Sequence, residues 1–167
     1  DYTHGKHSGL DHALVKDQIR DAFFDERIAK INTPSTQRFI KRMEEPPRGR
    51  ASILSLVRSG EELASTLERL PAQPTTQEMR TAINPYLQLA KAGVRDPISG
   101  LKLLDIWRYF RYLWAIPYQS TPGRNMFYLV RDSARPEHPV IGIAALGNCV
   151  VQMSERDQLI GWSVEAV

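Results

Sequence analysis

Arg108, Arg111 and Tyr112 stand three and four residues apart in WRYFRYLWAIPY, residues 107–118, so on a helix they share one side. A guanidinium is a planar fork of donors that pairs two at a time with phosphate or carboxylate oxygens, and a tyrosine ring beside it offers a surface for stacking. That chemistry suits a nucleic-acid backbone. It equally suits a protein interface, where Tyr and Arg are enriched, and a plain solvated helix face is the third reading. Lys102 carries the positive charge further along the same helix. Arg156 and Asp157, close before Gly161 and Trp162, bring together a fork, a carboxylate and an aromatic wall. Such a trio can hold a phosphate or a base, or can be a salt bridge that packs Trp162 inward. Arg124 follows Thr121-Pro122-Gly123, where glycine either lets backbone amides approach an anion or simply serves the turn. Between Arg38 and Arg58 there are six Lys or Arg and two Glu, a positive stripe able to meet phosphates or to face water.

Other reactive side chains point to little chemistry. His4, His7 and His12 near Asp11 have poor spacing for zinc and no cysteine to help, so surface histidines are the better account. His138 has no nucleophile beside it and reads as a turn residue. Cys149 lies next to Val150-Val151, an apolar setting that keeps a thiol protonated and packed. No catalytic residue, metal or cofactor is assigned on these grounds.

Elements must position these groups. The chain has 167 residues, 42% hydrophobic and 25% charged, with a net charge of +3, which is the balance of a folded globular protein and only mildly basic. Its longest apolar run is far below the roughly 20 residues that cross a bilayer, so no membrane span is expected. One cysteine excludes an internal disulfide, and no secretion signal opens the sequence, so a cytoplasmic location is expected. Apolar residues from Leu14 to Ile31 recur at helical spacing, predicting a helix over 11–31 that ends at Asn32-Thr33-Pro34. A short basic helix is expected over 35–44, broken by Pro46-Pro47-Arg48-Gly49. Ser59 with Glu62, and Thr75 with Glu78, fit the capping box, placing helix starts at Gly60 and Thr76. The first should run to Leu70; the second meets Pro85, which predicts a kink or a second helix, with Gly93 as its stop. Ser99 is expected to cap the aromatic helix, whose Leu103, Ile106, Trp107, Phe110, Leu113 and Trp114 form a core stripe and which Pro117 ends.

Beyond Pro122 the pattern turns to β. NMFYLVRD (125–132) and VIGIAAL (140–146) flank SARPEHP and predict an antiparallel hairpin, with CVVQM as a third strand and a short helix or turn over 154–159. The fold class is therefore α+β: a helical N-terminal region over 1–98, then the aromatic helix and a β-rich part over 99–167.

The segment TPGRNMFYLVRDSARPEHPVIGIAALG (121–147), followed by SERDQLIGW, is a combined signature. It resembles the family of the Druantia anti-phage system protein DruA, whose members look alike in an arginine before a YLV strand, a hairpin to an (I/L)G-x-(A/G) strand, and an RD-x-x-IGW segment. Here these are Arg124, Tyr128-Leu129-Val130, Ile141-Gly142-Ile143-Ala144, and Arg156-Asp157 with Ile160-Gly161-Trp162. The resemblance covers about residues 85–167. It implies a bacterial antiviral defence component in a hetero-complex with other defence-system proteins, contacting DNA, RNA or a helicase-type partner. Family members continue past the IGW segment, so this chain is expected to be a piece of a longer protein. Its hairpin also resembles the opening of GNAT-type acyltransferases. An acyltransferase-like enzyme whose cofactor-binding half lies elsewhere is thus one alternative, and a non-catalytic structural adaptor another.

Overall fold

A computed structural model describes residues 12–114, 123–147 and 159–160. Helix α1, His12–Ile31, is followed by α2, Pro34–Glu44. Pro34 sits at the first helical position, where its missing N–H costs nothing, and the Thr33 hydroxyl accepts from the Thr36 amide at 3.4 Å. A single 3-10 turn, Ile53–Leu56, follows the Pro-Pro-Gly break. Helices α3, Gly60–Glu68, and α4, Thr76–Ala82, begin where the capping residues place them. At Thr75 the box is complete: its hydroxyl accepts from the Glu78 amide, and the Glu78 carboxylate accepts from the Thr75 amide at 2.8 Å. At Ser59 only the hydroxyl half forms, and α3 ends two residues before Leu70.

Pro85 does not kink a helix. It opens a strand, β1, Pro85–Leu89, and Ile83, two residues earlier, is already extended. A proline biases the residue ahead of it away from helical angles, and at the first position of an edge strand it lacks only an N–H that the ladder does not need. Helix α5, Leu103–Arg111, then leads to β2, Asn125–Asp132, and β3, Val140–Gly147. The sheet order is β1-β2-β3 and both pairings are antiparallel. Tyr86 lies opposite Arg131, and Phe127 opposite Ala145; the β2–β3 register shifts between Val130 and Arg131. The expected hairpin is thus present, and the sheet gains its third strand from β1. The CVVQM strand, all but residue 159 of the expected 154–159 helix or turn, and Pro117 lie outside the described residues.

The core joins segments from both sides of residue 98. Phe39 and Met43 of α2, Ile53 and Leu56 of the 3-10 turn, Leu103, Ile106 and Trp107 of α5, Leu129 of β2 and Val140 of β3 are buried together. Burying a side chain of this size stabilises the fold by about 1.5–3 kcal/mol. Trp107 lies 4.3 Å, centroid to centroid, from Phe127, and its indole N–H donates to the Ala144 carbonyl at 3.1 Å, which pins α5 across β2 and β3.

Two expectations for α5 differ from the structure. Ser99 does not cap α5: Lys102 is the residue before the helix, and no side chain caps it. The Ser99 hydroxyl donates instead to Asp96 Oδ2 at 2.6 Å, because a serine three residues after an aspartate closes a local turn more readily than it reaches a distant helix start. The predicted core stripe of α5 is buried only at Leu103, Ile106 and Trp107; Leu113, beyond the helix end, is 63% exposed. On α1 the apolar rhythm marks a helix but not a buried face, since Leu14 is 60% exposed and Ile19, Phe24 and Ile28 are exposed as well.

Candidate nucleic-acid interface

Two short loops face each other across a cleft of about 500 Å³. One wall is the end of α2 with the loop after it, contributing Arg42, Met43, Pro46, Pro47, Gly49, Arg50 and Ala51. The other is the 95–102 turn with the first turn of α5, contributing Arg95, Ser99, Lys102 and Asp105. Four basic side chains, Arg42, Arg50, Arg95 and Lys102, therefore line the cleft against one carboxylate, Asp105. None of the four pairs with a carboxylate among the described residues. Arg95 is oriented by donating to the Gly100 carbonyl at 2.8 Å. Four cations lining one concavity with a single carboxylate, in a concave site where field lines concentrate, attract an anion.

Local chemistry sets each wall. In the first, Gly49 takes φ +85°, a left-handed angle that side chains disfavour, and so turns the chain after the two prolines. Ser52 then donates to the Glu44 carbonyl at 2.7 Å and accepts from the Leu54 amide at 3.2 Å, fastening the loop back onto α2. In the second, residues 95 and 102 bridge as an antiparallel pair, and the Gly100 amide donates to the Asp96 carbonyl at 2.8 Å. Gly100 has φ +70°. The Asp96 carboxylate is fully buried: Oδ1 accepts from Arg131 Nη1 at 2.6 Å, and Oδ2 from the Ser99 amide and hydroxyl. Burial alone would push this carboxyl up; the Ser99 and Arg131 donors outweigh it and hold the carboxyl below its ordinary value.

A tie between α2 and α5 fixes how far apart the walls stand. The Tyr109 hydroxyl donates to Glu44 Oε1 at 2.6 Å. Burial, with the Glu44 carboxylate accepting from the neutral phenol, pushes the Tyr109 hydroxyl up to about 12.

The sequence-level candidates fall in different places. Arg108 is exposed and continues the positive surface beside the cleft: its guanidinium lies 4.4 Å from the centroid of the Phe39 ring, which Arg42 also overlies at 5.5 Å. Tyr112 is partly buried at that seam. Its hydroxyl accepts from Arg108 Nε at 3.1 Å and from the Thr36 hydroxyl at 3.4 Å, and its ring tilts against Phe39. Arg111 stacks over Trp114 at 5.0 Å. Arg124 is exposed, next to Gly123 at φ +76°, at the start of β2. The Arg131–Asp96 contact that braces the cleft is seven residues along that strand, roughly 20 Å away. The structure thus places Arg108 over the Phe39 ring that Arg42 also overlies, outside the cleft lining, and leaves Arg124 at the other end of the sheet. Arg156, Asp157, Trp162, Cys149, His4 and His7 lie outside the described residues, as does the His12 side chain.

Sequence reasoning missed Arg95 altogether and assigned Arg42 and Arg50 to a stripe rather than a wall. Gly-rich turns flanking basic residues, Arg48-Gly49-Arg50 and Ser99-Gly100 before Lys102, were the available signal. It also missed the buried pairs Arg131–Asp96 and Arg58–Asp132, the latter at 2.8 Å, although both Arg131 and Asp132 end the YLVRD motif.

The sequence profile of the family described as Druantia protein DruA matches residues 68–166, more than half of the chain. The Druantia protein DruA of Escherichia coli (strain UMEA 4076-1) is 33% identical over 84 residues, which make up 50% of this chain and 19% of that protein. The matched stretch is thus about a fifth of that relative's length. No solved structure matches. The family region contains the 95–105 wall of the cleft, while Arg42 and Arg50 precede it. Among the described residues no helix is long and apolar enough to cross a membrane.

Proposed function

The chain belongs to the DruA family, and from that we propose that it is a component of a Druantia anti-phage defence system, acts within a multi-protein assembly, and meets nucleic acid through the basic cleft. The observation that carries the nucleic-acid reading is the set of four exposed basic side chains lining one concavity with a single carboxylate, Asp105, none of the four in an ion pair among the described residues. Folded proteins ordinarily disperse or pair such charges, because like charges held close repel. A phosphate backbone lying in the cleft supplies the missing counter-charge and releases its own condensed cations into solution. Arg108 extends the surface along α5. Arg111, Arg124, Arg156 and Trp162 are carried as further contacts to nucleic acid or to the other defence proteins.

Fluorescence anisotropy with a labelled oligonucleotide across a salt series tests the reading. Four phosphate contacts give a slope of log affinity against log salt of about −3 for a single strand. Charge reversal in R42E/R50E should lower affinity at every salt concentration and roughly halve that slope. A slope near zero, or a double variant that binds like the parent, rejects the cleft as the contact surface. Co-purification with the other proteins of a Druantia system tests the assembly separately, and a chain that elutes alone from every such mixture rejects that part.

A further inference from the structure

We infer that the cleft takes one strand at a time and that Asp105 reads a base in it, favouring bases that carry an exocyclic amino group. The inference rests on the nucleic-acid reading just given and narrows it to single strands with a chemical preference.

Shape argues for the single strand. The four exposed cations line a concavity of about 500 Å³, Arg42 and Arg50 from the α2 side and Arg95 and Lys102 from the α5 side, so a ligand narrow enough to enter it meets both sets at once. A duplex is a convex rod whose bases are stacked and paired inside it, and it rests on the rim. An unpaired nucleotide can place its phosphate between the walls and turn its base into the space between them.

Asp105 argues for the preference. A carboxylate among four cations weakens anion binding, so its presence in the cleft is unfavourable for a site that only grips phosphate. Asp105 lines this cleft, is partly buried, and neither bonds nor pairs with any described residue, although Lys102 lies three positions before it on the same wall. An ionised carboxylate only accepts hydrogen bonds. Among bases, cytosine and adenine present an amino group to such an acceptor, and guanine an amino group with a neighbouring ring N–H. Thymine and uracil present two carbonyl oxygens around one N–H, so a carboxylate aligned with that edge meets acceptors. The four cations therefore supply affinity that does not depend on sequence, and Asp105 supplies discrimination.

Anisotropy titrations with oligo-dC, oligo-dA and oligo-dT of equal length, and with a mixed-sequence duplex, test this on the whole 167-residue chain. The parent is expected to bind oligo-dC and oligo-dA about fivefold or more tighter than oligo-dT, and any of the three single strands tighter than the duplex. Asp105→Ala should bind oligo-dT more tightly, since one repelling charge is gone, and should bring the three affinities within about twofold of one another, since the acceptor for the amino groups of oligo-dC and oligo-dA is lost. Asp105→Asn, which keeps the shape but gains a donor, should raise oligo-dT most. Should Asp105→Ala fail to fold, Asp105→Asn alone decides through the same ratio. Equal affinity of the parent for oligo-dC, oligo-dA and oligo-dT, or a dC-to-dT ratio unchanged in both variants, overturns the role of Asp105 while leaving the basic cleft standing. Duplex bound more tightly than every single strand overturns the single-strand inference. Failure to bind any of the probes overturns the nucleic-acid reading itself.

Discussion

Replacing Asp96 by alanine attacks the fold and the cleft together. Asp96 and Arg131 are both fully buried and meet at 2.6 Å. Arg131 also donates to the His138 carbonyl at 2.6 Å through Nε, to Gln88 Oε1 at 3.0 Å through Nη1, and to the Glu137 carbonyl at 3.1 Å through Nη2. With Asp96 gone the guanidinium keeps those neutral acceptors and loses its only counter-charge among the described residues. An unpaired buried charge of this kind costs about 3–5 kcal/mol, a large part of a domain stability of about 5–15 kcal/mol. The denaturation midpoint, followed by the emission of buried Trp107, should fall by about 2 M urea. Removing both charges in Asp96→Leu/Arg131→Met should recover much of that loss, because no charge is then stranded. Acid sensitivity gives a second reading. The Asp96 carboxyl is held below its ordinary value when folded, so its contribution is fully present above the unfolded value and lost as pH falls through the folded one. Asp96→Ala should lack that part of the acid limb. The variant should also loosen the 95–102 wall and weaken oligonucleotide binding under conditions where it remains folded, since the Ser99 amide and hydroxyl lose their acceptor. A variant within about 1 kcal/mol of the parent, with the same acid limb, would refute the reasoning.

Two further outcomes follow from other contacts. Arg58→Met should destabilise less than Asp96→Ala, because Arg58 Nε and Nη2 are already buried without partners and their desolvation cost leaves with the side chain, while Asp132 keeps the Asn84 and Ala134 amides; a midpoint loss equal to that of Asp96→Ala in the same urea titration would show the comparison to be wrong. Tyr109→Phe should remove a tyrosine transition at about pH 12 from an absorbance titration. The parent's folded phenol is raised above its unfolded value, so its contribution is present below about pH 10 and lost as pH rises toward about 12, and the variant should lack that alkaline decline. A titration curve unchanged by the substitution would remove Tyr109 from its tie to Glu44.

What could be read from the sequence was local. The β2–β3 hairpin announced itself because β-branched and aromatic residues flank a proline-bearing turn, and helix starts at Gly60 and Thr76 because a capping box lies within four residues. Strand β1 was missed for the complementary reason. Its five residues carry little periodic signal, and their β character comes from pairing with Asp132 to Tyr128, far along the chain. Ser99 shows how two local rules compete: hydroxyl-capping favours a helix start, but an aspartate three residues earlier offers a nearer partner.

The cleft was illegible on the same principle, and its composition says why it should act as a unit. Arg42 and Arg50 belong to a stretch that reads as a solvated basic stripe, and Lys102 and Asp105 to the start of an aromatic helix; neither segment alone concentrates charge. Phe39, Met43, Ile106 and Trp107 bury the seam between α2 and α5, and Tyr109 bonds Glu44 across it. Apolar burial thus holds together cations that repel one another, and that repulsion is relieved when an anion enters between them. One wall lies within the family-matched region and the other precedes it, so the strength of the field in the cleft depends on the packing of α2 against α5 as much as on either set of charges.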